Sequence, residues 1–144
     1  DMFAALATLA AVLQLAAAIG WDQSAAVVGQ LRCHGEPAAG VLVKLYDDDF
    51  GPDLDDLMAE GHTDSEGRFT LSGTTDEVST IDPKLNIYHD CDETFTPCQR
   101  RITIEIPKSY VTNGKIPTKT FDFGAMELAG KFAGETRDCF HKRR

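Results

Sequence analysis

The sequence predicts an all-β fold, a two-sheet β-sandwich of about seven to eight strands with at most one short helix. Three observations predict it. Short runs alternate apolar and polar residues with a period of two, as in Phe69-Thr70-Leu71 and Ile102-Thr103-Ile104-Glu105-Ile106. Gly, Pro and Asp punctuate those runs at short intervals, where turns are needed. The composition, 42% hydrophobic and 26% charged over 144 residues, is that of one globular domain.

Residues 1–20 read as a secretory signal peptide. Met2 to Ile19 carries no charge and is rich in Ala and Leu, and Ala16-x-Ala18 and Ala18-x-Gly20 both satisfy the small-residue rule for cleavage. Cleavage after Ala18 or Gly20 is expected, leaving a single domain over residues 21–144 with a short basic tail, Lys142-Arg143-Arg144. A retained anchor is the alternative, but an 18-residue Ala-rich stretch is marginal for a span that needs about 20 strongly apolar residues.

Strands follow in order. Residues 27–33 form the first, His34-Gly35-Glu36-Pro37 turns the chain, and residues 41–47 form the second. A short third fits residues 58–63. Asp64-Ser65-Glu66-Gly67 is a hairpin turn in which Gly67 supplies a positive φ. Residues 68–73, 85–89 and 101–106 alternate cleanly, with Ile102, Ile104 and Ile106 on the buried face and Thr103 and Glu105 outside. Residues 121–123 and 126–128 complete the set. Helix is compatible only with residues 54–59 and 108–112, weakly in both places.

The formal net charge of −9 excludes a simple basic nucleic-acid binder, which must displace counterions with an excess of positive charge. The charge is unevenly placed: residues 1–97 hold 4 basic and 18 acidic groups, residues 98–144 hold 10 basic and 5 acidic. Arg100, Arg101, Lys108, Lys115 and Lys119 are therefore the candidate patch for an anionic partner, an extracellular protein or an anionic lipid surface. Arg100 and Arg101 are neighbours on one strand and point to opposite faces. After leader cleavage no membrane span is expected, and the residues call for no cofactor.

Four cysteines, Cys33, Cys91, Cys98 and Cys139, form two disulfides if the protein is secreted. Three pairings are open. The short Cys91–Cys98 loop, worth about 2.5 kcal/mol of denatured-state entropy, would leave Cys33 to pair with Cys139, worth nearly 5. A zinc site joining these thiols to His89 is the alternative, disfavoured because one short Cys pair is not the two that zinc fingers use. Asp47, Asp48, Asp49, Asp53, Asp55 and Asp56 suit Ca²⁺ by donor type but lack the EF-hand spacing, so a solvated acidic strand end is expected. His34, His62, His89 and His141 are scattered, and no serine sits in a nucleophile elbow, so no catalytic residue is assigned.

Gly35-Glu36-Pro37-Ala38-Ala39-Gly40-Val41-Leu42-Val43-Lys44-Leu45 resembles the entry segment of the transthyretin superfamily. Lys44-Leu45-Tyr46-Asp47, Thr63-Asp64-Ser65-Glu66-Gly67-Arg68-Phe69, Ile81-Asp82-Pro83, Ile87-Tyr88-His89-Asp90-Cys91 and Pro97-Cys98-Gln99-Arg100-Arg101 are similar to the nematode transthyretin-like family. The resemblance covers residues 28–140. It implies a secreted sandwich of transthyretin-like topology and little chemistry; the leading reading of the chain is a non-enzymatic binding or bridging module. A carrier of a small apolar ligand or lipid is the second reading. A hydroxyisourate hydrolase is the third: that branch has a His on its first strand and ends Tyr-Arg-Gly-Ser, whereas residues 27–32 hold no His and this chain ends His141-Lys142-Arg143-Arg144.

Overall fold

The computed structural model describes residues 20–48, 55–94 and 96–140. Residues 1–19 of the expected leader, Asp49, Asp53, His141 and the basic tail lie outside them. The described chain forms β1 (Trp21–Cys33), β2 (Glu36–Pro37), β3 (Leu42–Asp47), β4 (Asp56–His62), β5 (Arg68–Glu77), β6 (Pro83–His89), β7 (Gln99–Glu105), a 3-10 turn (Lys108–Tyr110), β8 (Thr112–Asn113), β9 (Phe121–Glu127) and β10 (Thr136–Asp138). Three of these strands, β2, β8 and β10, are only two or three residues long, which leaves seven full strands.

Two five-stranded sheets face each other. In the first, β1 is the spine. It pairs antiparallel with β5 and β8, closes a hairpin with β2, and runs parallel to β9. The second sheet has the order β10-β7-β6-β3-β4 and is antiparallel throughout. Alternation puts Val27, Leu31, Val43, Leu45, Phe69, Leu71, Leu85, Ile87 and Ile102 into one core between the sheets. On β7, Ile102 is buried and Ile104 half-buried while Thr103 and Glu105 are exposed, which is the expected register.

Differences from the sequence reading have physical causes. Strand β1 begins six residues earlier than the apolar run, because Gln23 occupies a core position and its amide is satisfied there. It donates to the Ser79 carbonyl at 2.6 Å and accepts from the Ile81 N–H at 3.0 Å. The helix-compatible window at 54–59 is strand from Asp56 onward, since Ala59 and Leu57 pair with Leu45 and Tyr46 of β3. The window at 108–112 holds a single 3-10 turn. The two runs near 121–128 are one strand, β9, whose register shifts where it passes residues 28–30 of β1.

Two glycines make the frame possible. Gly67 has φ +76° in the β4–β5 turn, donates to the Asp64 carbonyl at 2.9 Å, and lies against the Leu31 carbonyl where a Cβ would clash. Gly29 in β1 faces the Phe123 ring, which would stand 2.3 Å from any Cβ placed there. Phe123 in turn packs on Phe69 with ring centroids 5.7 Å apart, tying β9 to the core.

Candidate functional site

Both disulfides form, but in a different pairing from the short-loop expectation. Cys33 bonds Cys91 and Cys98 bonds Cys139, with Cα separations of 5.8 and 4.3 Å. Strand parity explains the first. Cys33 shares the inward phase of Val27 and Leu31, and Cys91 continues that of Leu85 and Ile87, so the two sulfurs meet between the sheets. Register explains the second. Asp138 pairs with Gln99 across β10 and β7, which sets Cys139 opposite Cys98. The closed loops, with sequence separations of 58 and 41, are each worth about 4 kcal/mol on the loop-entropy account.

The five cationic candidates separate into two groups. Arg100 points inward and is buried. Its guanidinium is engaged by the Glu135 carboxylate, the Gly130 carbonyl and, at 3.1 Å, the Cys91 carbonyl. Those hydrogen bonds hold the Glu135 carboxyl down at about 2. Arg101 points to the opposite face and pairs with Asp138 at 3.0 Å. Both clip β10 and the segment before it to the second sheet. Burial removes Arg100 from any surface patch, whereas Arg101 keeps 34% of its side chain exposed.

Lys108, Lys115 and Lys119 are exposed on the connection between β7 and β9. Lys108 meets Asp82 at 3.0 Å on the surface, and Lys119 donates to the Ser109 carbonyl at 2.9 Å. The turn after β8 that carries Lys115 is pinned to the start of β1. The Gly114 N–H donates to the Asp22 carbonyl at 2.8 Å, and the Trp21 indole N–H donates to the Asn113 side chain at 3.1 Å. This places Ile116, 80% exposed, on the same turn that holds Trp21, itself 44% exposed. Sequence reading missed this apolar pair; the signal was a lone Ile between two lysines, outside every alternating run.

Of the acidic segment, Asp49 and Asp53 lie outside the described residues, Asp48 and Asp56 are exposed as expected, and Asp47 is the exception. Asp47 is only 2% exposed and accepts from the Asp82 N–H at 2.9 Å; burial pushes its carboxyl up. Asp55 and Asp48 meet Lys84 at 2.6 and 3.2 Å. Of the histidines, His34 pairs with Asp92 at the surface. His89 is buried, accepts the Cys91 N–H on Nδ1 at 3.1 Å, and leaves Nε2 without a partner among the described residues. Burial and the neighbouring Arg100 hold its pKa down, so it is a neutral core imidazole. An open groove of about 490 Å³ is lined by the charged Asp48, Asp82, Lys84, Glu105 and Lys108 together with Pro83, Ile106 and Pro107.

Residues 28–107 match the transthyretin-like family. The chain is 59% identical over 125 residues to transthyretin-like protein 5 of Caenorhabditis elegans, covering 87% of this chain and 90% of that one. It is 57% identical over 122 residues to transthyretin-like protein 33 of the same organism, covering 85% of each. The chain belongs to the transthyretin-like family. Among solved structures the backbone is similar to part of a 9R-lipoxygenase from Cyanothece, with TM-score 0.42 and 22% identity over 73% of this chain and 16% of that one, too slight a likeness to bear on function. The family match takes in Cys33, Cys91, Cys98 and the buried Arg100. Trp21, Lys108, Lys115, Ile116 and Lys119 of this transthyretin-like chain fall outside it, as do the framework partners Glu135 and Cys139.

Proposed function

We propose that this transthyretin-like chain is a secreted extracellular module that binds rather than catalyses, and that it docks on an anionic lipid surface through the tip formed by Trp21, Lys108, Lys115, Ile116 and Lys119. The observation that carries this reading is the exposed Ile116 on the turn that Trp21 holds, with lysines on the same connection. An indole and an aliphatic side chain suit the headgroup boundary, and lysines beside them attract anionic headgroups. Two disulfides support an oxidising compartment, and residues 1–20 provide the secretory leader. The packed core between the sheets favours surface recognition over carriage of an apolar ligand there. Asp76 and Glu77 of β5 pair in register with Asp22 and Trp21 of β1, so carboxylates flank the indole and the lysines must outweigh them at an anionic surface.

Charge reversal tests this. Each well-placed lysine contributes about 1 kcal/mol near an anionic membrane, so reversing Lys108, Lys115 and Lys119 together weakens sedimentation with anionic vesicles at least about tenfold. The same charge change at Arg32, Arg68 and Lys131, exposed elsewhere, leaves it near wild type. Equal binding by both variants removes the tip from the account. Binding to an acidic protein but to no anionic vesicle assigns the lysines to a protein partner.

A further inference from the structure

The corner where the two sheets are joined has a second chemistry. Cys33 ends β1 in the first sheet, and Cys91 follows β6 in the second. The residues immediately after them, His34 and Asp92, are the only non-glycine residues with positive φ among those described, at 53° and 66°. L-residues enter that region rarely. Here it occurs twice, at matching places, and the two side chains meet each other, His34 Nε2 against Asp92 Oδ1. One ligand-type atom from each of Cys33, His34, Cys91 and Asp92 lies within 4.8 Å of all the others.

We propose that reduction of the Cys33–Cys91 disulfide converts this corner into a zinc site with Cys33, His34, Cys91 and Asp92 as its four ligands. Two thiolates, one imidazole and one carboxylate are a donor set that Zn²⁺ takes in tetrahedral geometry. Donors at Zn²⁺ bond lengths stand about 3.3–3.8 Å apart, within the 4.8 Å over which these atoms lie. Breaking the S–S bond frees the two sulfurs, about 2 Å apart while bonded, to separate to that spacing. The backbone on both sides is held without help from the disulfide. The Glu127 carboxylate accepts from the His34 and Gly35 N–H groups at 3.0 and 2.6 Å. The Cys91 N–H is held by His89, and its carbonyl by Arg100 at 3.1 Å. His34 and Asp92 side chains are 65% and 46% exposed, so an ion has access. The reductant is a dithiol. It gives two electrons and two protons to the S–S bond, yielding two cysteine thiols, and itself becomes a disulfide. Zn²⁺ then displaces both thiol protons to solvent. The bound ion joins β1 to the end of β6 again, so the sheets stay linked after the covalent bond is gone.

The test titrates Zn²⁺ and Co²⁺ into protein purified with both disulfides formed, before and after reduction with a phosphine. Reduced protein takes up one equivalent of Zn²⁺ and gives Co²⁺ the visible bands of a tetrahedral thiolate site; oxidised protein does neither. Removing the other pair with C98S/C139S preserves the site, and C33S/C91S abolishes it. His34→Ala and Asp92→Ala each weaken Zn²⁺ binding at least about tenfold, which keeps the test decisive if the cysteine variants misfold. Reduced wild type that takes no zinc overturns the proposal. So does binding that survives C33S/C91S, or binding that ignores both His34→Ala and Asp92→Ala.

Discussion

Glu135 receives Arg100 with both carboxylate oxygens, Oε2 at 2.9 Å from Nη2 and Oε1 from Nε, inside the end of the sandwich. Both side chains are buried, so this pair fastens the segment before β10 onto β7, beside the core contacts of Leu128, Ala129 and Phe132. Taking either partner away leaves a buried charge uncompensated. Glu135→Gln is expected to cost about 3–5 kcal/mol in urea or thermal unfolding. A loss under about 1 kcal/mol would show that solvent reaches the pair.

The same pair gives a pH dependence. Arg100 holds the Glu135 carboxyl at about 2, below its ordinary 4.5. A depressed carboxyl stabilises the fold above its unfolded pKa and loses that stabilisation as pH falls through the folded one. Stability should therefore decline between about pH 4.5 and pH 2, and Glu135→Gln should flatten that part of the curve. An unchanged slope in the variant would assign the acid sensitivity to other carboxylates.

Core register predicts unequal costs along one strand. Ile102 is 5% exposed in the central cluster, Ile104 packs against it half-buried, and Glu105 faces solvent. Ile102→Ala should cost about 2–5 kcal/mol, Ile104→Ala less, and Glu105→Ala within about 0.5. Equal losses at all three, measured by denaturant unfolding, would contradict the sheet assignment.

Much of this was legible in the sequence because it is local. Alternation located β3, β5, β6 and β7, and Asp64-Ser65-Glu66-Gly67 announced its turn through residues that act within four positions. What was not legible depends on partners distant in the chain. Gln23 broke the apolar pattern of β1, since its satisfaction comes from Ser79 and Ile81. Arg100 read as a surface cation because Glu135, which neutralises it, lies 35 residues away. The disulfide pairing needed the facing of two sheets for Cys33–Cys91 and the β7–β10 register for Cys98–Cys139. The tip escaped for the same reason: the pairing of β8 with β1 and the bonds from Trp21 to Asn113 and from Gly114 to Asp22, each across 92 residues of sequence, bring Ile116 to it.

The disulfide map follows directly. Protease digestion without reductant should yield one peptide pair joining Cys33 to Cys91 and another joining Cys98 to Cys139. Recovery of a Cys91–Cys98 peptide would contradict the parity argument on which the corner of the two sheets rests.

The proposed docking surface has a built-in reporter, because Trp21 is the single tryptophan in the chain and lies half-exposed. The decisive measurement is its fluorescence during titration with anionic vesicles, phosphatidylcholine mixed with phosphatidylserine or phosphatidylglycerol. Insertion of the tip transfers the indole to the headgroup boundary, so emission should shift to the blue and become quenchable by bromine-labelled acyl chains. Raised salt should reverse the shift by screening the lysines, Ile116→Ser should weaken it, and vesicles of phosphatidylcholine alone should produce none. Trp21 emission that stays unchanged while the protein is bound to anionic vesicles, or an absence of binding at low salt, would contradict docking through this tip.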